Sequence, residues 1–306
     1  MKRIVFIFLV IYIVNNGCEP KDNREYFRPK IAVKCFLQPN QVAKAYIENT
    51  VGLLDTSWRD EIFGNDLLGI IQPHYVAKNA KVILIKNGVF VDSLQYNSDT
   101  YLYEGTLHKI ECGATYKIEI VEEGATLIYA TCTVPYPVKI ERIDTIAESK
   151  GIPASRTYIL RFSDPVKENN FYLLYGFEMI KHDENWYHYR ENRVYPILLN
   201  MDAIFENLPS SVFWPARFSD RMFNGKTLSL ELTEKSGSYH SRDSLIWFNL
   251  ANVSIEEYNY IESIERYKYN SNNAFAEPTP IYSNIVNGAG IFAAMAVSSD
   301  TIKIKK

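Results

Sequence analysis

Cysteine is scarce in this chain, with four in 306 residues, far fewer than a disulfide-stapled scaffold carries. Cys35, Cys112 and Cys132 are separated by 76 and 19 residues, spacings that match no zinc pattern. Each stands among apolar or β-branched neighbours, as in Val33-Lys34-Cys35-Phe36, and reads as a buried small hydrophobe. An excess of charge of one sign is also missing. Thirty-three Lys and Arg against 36 Asp and Glu leave a net charge of −3, which excludes a general nucleic-acid binder. Catalytic signatures are missing too: there is no Gly-x-Ser-x-Gly elbow, no His-Glu-x-x-His and no phosphate loop. His182 and His188 bracket Asp183 and Glu184, but that spacing is neither a helical zinc pair nor a finger, and a solvated turn is the expected structure. No catalytic residue, metal ligand or cofactor is expected from these patterns.

Apolar runs long enough to span a membrane are absent; a spanning helix needs about 20 residues. The most continuous run, Ile4 to Val14, opens the chain behind Lys2 and Arg3. A basic head, a short apolar core and a small residue before the break describe a secretory signal peptide over residues 1–17. Gly17-Cys18 sharpens this to a lipoprotein signal, cut just before a cysteine that takes lipid. Cys18 is therefore the expected lipidation site. Residues 18–29, with Glu19, Lys21 and Asp22, read as a polar tether. The expected address is the outer membrane, with the protein lipid-anchored on its periplasmic face or at the cell surface. An acylated Cys18 leaves three thiols, enough for at most one disulfide.

What remains is rich in aromatics, at 14% with 22 Tyr, as β-sheet surfaces favour. Short runs at Ile31–Leu37 and Val42–Ile47 are broken by Pro39-Asn40, and residues 49–79 read as an irregular loop or local helix around Trp58, Ile62 and Phe63. Asn87-Gly88, between Lys81–Lys86 and Val89–Gln95, predicts a type I′ hairpin, since both central residues must tolerate positive φ. A second hairpin is predicted from Tyr116–Val121 to Thr126–Val134. These strands predict an immunoglobulin-like sandwich over residues 30–134. Pro135-Tyr136-Pro137 ends it, because two prolines in three residues cannot continue a central strand. A larger, β-rich C-terminal domain is expected over 138–306. Within it, Ser254 and Glu257 form a capping-box pattern that starts an amphipathic helix near 254–269.

The densest aromatic patch runs from Phe171 to Tyr195. Phe171, Leu173, Tyr175 and Phe177 alternate as a core-facing stripe does. Trp186 and Tyr189, flanked by charged residues, fall near a loop tip and are the candidates for a contact surface.

Near the tail, Asn273-Ala-Phe275, Glu277-Pro278, Ser283-Asn284-Ile285 and Gly288-Ala-Gly290-Ile291-Phe292 form a recognisable group, joined by Phe218-Ser-Asp220 and Phe223-Asn-Gly225. Together with the order of signal, sandwich, proline joint and longer β domain, they resemble a Bacteroidota outer-membrane lipoprotein family catalogued as domain of unknown function 4249. Ala274 departs from it, the family more often having proline there. The resemblance implies location, fold and company: TonB-dependent outer-membrane receptors are frequent neighbours, and no catalytic residue carries over. The residues also have a structural reading, with Gly288 and Gly290 turning the chain into a last strand and Phe275 and Phe292 packing on a sheet. Two functions follow. One is a non-enzymatic accessory component that binds a ligand or partner for a transporter. The other is a lipid-anchored hydrolase acting on polysaccharide or peptide, which would need a pair of facing carboxylates.

Overall fold

Ile31, Val33, Cys35 and Leu37 are buried while Ala32, Lys34 and Phe36 face outward or lie at the margin. That period of two is what a strand with one face on a core produces. The computed structural model describes residues 30–50, 75–122, 126–149, 155–166, 169–182, 185–187, 195–196, 204–206, 215–235, 244–271, 276–277 and 279–304. Cys18, Tyr189, Asn273 to Phe275 and the expected loop or helix around Trp58 lie outside these residues.

The chain is mainly β. In order the strands are β1 (Ile31–Leu37), β2 (Val42–Asn49), β3 (Lys81–Lys86), β4 (Val89–Asn97), β5 (Leu102–Lys109), β6 (Thr115–Val121), β7 (Ile128–Thr133), β8 (Ile140–Ser149), β9 (Ser155–Ser163), β10 (Phe171–His182), β11 (Asn185–Tyr187), β12 (Tyr195–Pro196), β13 (Ala216–Ser219), β14 (Thr227–Lys235) and β15 (Ser244–Val253). Helix α1 (Ile255–Ser271) and the long strand β16 (Ala289–Ile304) complete them. All described residues belong to one compact unit.

The principal hydrogen-bonded path runs β11-β10-β15-β16-β1-β2-β5-β4-β3-β6-β7, with β12 and β13 also on β10. A second sheet is β14-β9-β8. Strand β4 changes partner along its length: Val89 to Leu94 pair with β3, and Gln95 to Asn97 pair with β5. Its turn has φ of 49° at Asn87 and 83° at Gly88, as a type I′ turn demands. The expected boundary at Pro135-Tyr136-Pro137 falls in the connection between β7 and β8.

Strand β16 holds the two halves of the path together. Its first six residues run parallel to β1, from Ala32↔Ala289 to Leu37↔Ala294. The rest is antiparallel to β15, from Val253↔Met295 to Ser244↔Ile304. Val297 to Thr301 continue the ladder without a break, so the last strand is a single long one.

Three clusters fill the interior. The first joins β1 and β2 to β3, β6 and β7 and contains Leu37, Ile47, Leu84, Tyr116 and Ile118. In the second, Tyr172 and Leu174 of β10 meet Tyr158, Leu160 and Phe162 of β9 and Leu230 and Leu232 of β14. In the third, Leu173 with Phe171 and Tyr175 packs beside Tyr258 and Ile261 of α1. Consecutive residues of β10 thus serve opposite faces, and both faces are covered. The aromatic stripe of the sequence is a layer between sheet and helix.

Candidate functional site

Polar side chains that the sequence scatters from Glu206 to Arg266 meet under α1. Arg217 in β13 is 3% exposed and Glu265 in α1 is 2% exposed. The Arg217 Nη2 donates to the Glu206 carbonyl at 2.7 Å and to Glu265 Oε2 at 3.4 Å. Its Nη1 lies 3.8 Å from Glu262 Oε2 and 3.9 Å from Glu206 Oε2. The guanidinium also sits over the Tyr258 ring, 4.7 Å from its centroid. Glu206 is gripped from its other side, by the Ser219 hydroxyl at 2.6 Å and by the Tyr258 hydroxyl. Burial pushes the Glu206 carboxyl up, but those hydroxyls and the arginine charge outweigh it and hold the group below its ordinary value. Glu262 is shared with Arg266 one helical turn on, at 2.6 Å. One buried arginine therefore gathers three carboxylates from a loop and two helix positions. Chemically this is an electrostatic clamp; its Glu206 is an ionised, hydrogen-bonded group with no proton to give.

A second polar cluster is built by the Phe218-Ser-Asp220 and Phe223-Asn-Gly225 segments. Asp220 opens a short 3-10 turn (Asp220–Met222) after β13. Its Oδ2 accepts the Asn170 amide N–H at 2.8 Å, and its own N–H returns to the Asn170 carbonyl at 3.1 Å. Asn252 donates to Asn170 Oδ1 at 2.9 Å and to the Tyr136 carbonyl at 3.0 Å. Gly225, at φ 72°, points its N–H at Asp164 Oδ2 over 2.8 Å, and Tyr172 donates to Asp164 Oδ1. Burial raises the Asp164 pKa, opposed by those two bonds. Beneath them Phe218 stacks on Tyr172 at 5.1 Å, with Phe162 and Phe223 closing the cluster. These bonds join the start of β10 and the end of β13 to the end of β9, to β15 and to the connection before β8.

The tail residues are occupied in the same way. Asn284 imitates a strand: Oδ1 accepts the Phe292 N–H at 3.0 Å and Nδ2 donates to the Phe292 carbonyl at 2.7 Å. Nδ2 also reaches the Thr131 carbonyl of β7 at 3.3 Å. Gly290 has φ 101°, and a Cβ there would come within 2.0 Å of the Val33 carbonyl oxygen. Gly288 has no positive φ; it is small because a Cβ would stand 2.8 Å from the Ile31 oxygen. The expected turning role thus belongs to Gly290, and Gly288 serves close approach. Phe292 is fully buried, as expected.

At the start of α1 the capping pattern forms by half. Ser254 Oγ accepts the Glu257 N–H at 3.5 Å and the Ala294 N–H at 3.2 Å. The reciprocal bond to the Ser254 N–H is pre-empted, because that N–H goes to the Ala294 carbonyl at 2.8 Å. Glu257 is left 3% exposed, and among the described residues nothing hydrogen-bonds its Oε2. Burial pushes its pKa up to about 8.

Trp186 stands on β11, its backbone opposite Lys181 of β10; Tyr189, His188, Asp183, Glu184 and Cys18 lie outside the described residues. The three described cysteines are free thiols. Burial pushes Cys35 to about 12 and Cys132 well up, so both stay protonated and inert. Among the described residues no group of three His, Cys, Asp or Glu is placed to hold a metal ion. No helix among them is long and apolar enough to cross a membrane. The arginine clamp was missed in the sequence. Its available signal was Arg217 standing next to the Phe218-Ser-Asp220 segment, with Glu262 and Glu265 three apart on the helix face above it.

Among curated proteins nothing matches the chain. One solved structure similar to it is described as a putative membrane anchored protein from Corynebacterium diphtheriae. It shares 8% identity at a TM-score of 0.22, and the match covers 74% of this chain and 54% of that one. The family model described as domain of unknown function (DUF4249) matches residues 19–301. Spanning nearly the whole sequence and every signature segment placed above, that match makes this chain a member of the DUF4249 family.

Proposed function

We propose that the protein is a non-enzymatic lipoprotein, anchored through Cys18 at the outer membrane or cell surface, that serves a TonB-dependent transport system as an accessory ligand- or partner-binding component. The observation that carries this reading is the lipoprotein signal ending at Gly17-Cys18, in a chain whose family resemblance implies TonB-dependent receptors as frequent neighbours. The site geometry supports it. The recognisable residues Asn284, Gly290, Asp220 and Gly225 each hold strands in place, and the described carboxylates of the clamp are bound to Arg217. A protein tethered beside a receptor also works at high effective concentration, so a small interface suffices. The surface proposed for the partner is the β10–β11 hairpin with Trp186 and the adjoining Tyr189.

Purifying the tagged, lipidated protein in mild detergent and identifying its companions by mass spectrometry tests this. A TonB-dependent receptor is expected in near-equal amount, with the segment around Trp186 protected from proteolysis in the complex. Protein that comes out alone and cleaves a polysaccharide or peptide unaided is the hydrolase, and the accessory role falls.

A further inference from the structure

We propose that the end of the β unit at which the chain joins it rests on the bilayer, with Val121, Leu127 and Val286 seated among lipid headgroups. This rests on the lipid-anchored reading above and adds an orientation to it. Lys30 marks that end: its N–H donates to Thr50 Oγ1 and its carbonyl accepts the Thr50 N–H, each over 2.8 Å. The other elements that finish there are fixed by register. Ile120 pairs with Ile128, so Val121 and Leu127 face each other across the β6–β7 hairpin. Asn287 Nδ2 donates to the Leu127 carbonyl at 2.9 Å, and Val286 pairs with Tyr129. A Cβ on Gly288 would touch both the Ile31 oxygen, at 2.8 Å, and Ile128 Cγ2, at 3.2 Å. The start of β1, the end of β6, the start of β7 and the approach to β16 therefore share one rim.

That rim carries three exposed apolar side chains, Val121, Leu127 and Val286, at 43, 39 and 41% exposure. Lys30, Lys78 and Lys81 are exposed around them, with Lys81 paired directly to Val121. Glu48, Glu122 and Asp99 are described acids there, the first two half-buried and the last exposed. Apolar side chains ringed by lysines whose stems can lie flat suit a headgroup layer better than open water. The length of chain ahead of Lys30 supplies the occupant. Lys30 lies twelve positions after Cys18. A chain of that length reaches at most about 40 Å and averages about 20 Å when flexible. The rim is thus the part of the unit held nearest the lipid, where a weak affinity is multiplied by tethering. Phe90 and Leu107, 58 and 81% exposed, lie beyond the Asn87-Gly88 turn at the other end of the hairpin, on the side turned away.

The test places benzoylphenylalanine at Leu127 or at Phe90 in the full-length protein. Each variant is reconstituted in vesicles of phosphatidylethanolamine and phosphatidylglycerol, irradiated, and read for lipid adducts, with metabolic acyl label measured on the same sample. Acyl-labelled protein should yield lipid adducts at 127 about fivefold or more above those at 90. Labelled protein with equal adducts at the two positions, or with adducts at 127 only to protein, overturns the docking and leaves the anchor standing. Protein without acyl label overturns the anchor, and the docking with it.

Discussion

Replacing Gly290 with alanine should destabilise the protein by about 3 kcal/mol or more, a large effect for adding one methyl group. Two obstacles coincide at this residue. Its φ of 101° lies where side chains are rarely tolerated, and the added Cβ would stand 2.0 Å from the Val33 oxygen and 2.9 Å from the Val33 nitrogen. Those atoms are the backbone of β1, paired with Gly290 itself, so no side-chain rotation relieves the clash. The strand must move, and with it the parallel ladder that ties β16 to the first core. Gly88→Ala is the control: its φ of 83° carries strain, but nothing lies within 4 Å of the new atom. Denaturant midpoints at constant slope should therefore fall much further for Gly290→Ala than for Gly88→Ala. Equal shifts would mean that β16 does not approach β1 as described.

The second large effect is a pH dependence centred on Glu257. Burial without a partner for Oε2 pushes its pKa from 4.5 to about 8, so the folded state keeps a proton that the unfolded chain gives up. The native state then binds more protons than the unfolded one between those values, and stability falls as pH rises. The contribution is fully present below about pH 4.5 and lost progressively on the way to pH 8. At 1.36 kcal/mol per unit the loss by neutral pH is on the order of 3 kcal/mol. Cys132 and Tyr175, the titratable groups that feel the Glu257 charge, are both shifted upward and stay neutral through that window. Glu257→Gln keeps the shape without the charge. Its stability should be nearly flat from pH 5 to 8 and exceed the parent's by a few kcal/mol at pH 7.5. If the variant and the parent lose stability in parallel over that range, another group carries the slope.

How far the sequence foretold this depends on the range over which each signal acts. Local signals were legible. Asn87-Gly88 marked its turn because both residues must take positive φ, and Ile31–Leu37 marked a strand because one core face imposes a period of two. The helix was placed within two residues, since its cap and its apolar positions are neighbours in the chain. Leu102–Lys109 was not seen as a strand. Its alternation fails after Gly105, where the buried Asp92 carboxylate accepts the N–H groups of Thr106, Leu107 and His108, each at 3.1 Å. A partner fourteen or more residues away replaces the apolar pattern that would have signalled it. Separation along the chain also hid the Arg217 clamp, whose carboxylates come from Glu206, Glu262 and Glu265. It also hid the parallel pairing of β1 with β16, across more than 250 residues, which no local pattern encodes. Trp186 was read from its charged flanks, and only its place opposite Lys181 is added.

Attachment at Cys18 is the claim on which the address, the proposed partner and the orientation of the rim all depend. It is tested most directly by metabolic labelling with an alkyne fatty acid, comparing the parent with Cys18→Ala by gel and by membrane flotation. The parent should carry label and float with membranes, while Cys18→Ala should lose the label entirely and remain with the soluble fraction. A Cys18→Ala protein that is still labelled and still floats would contradict the claim.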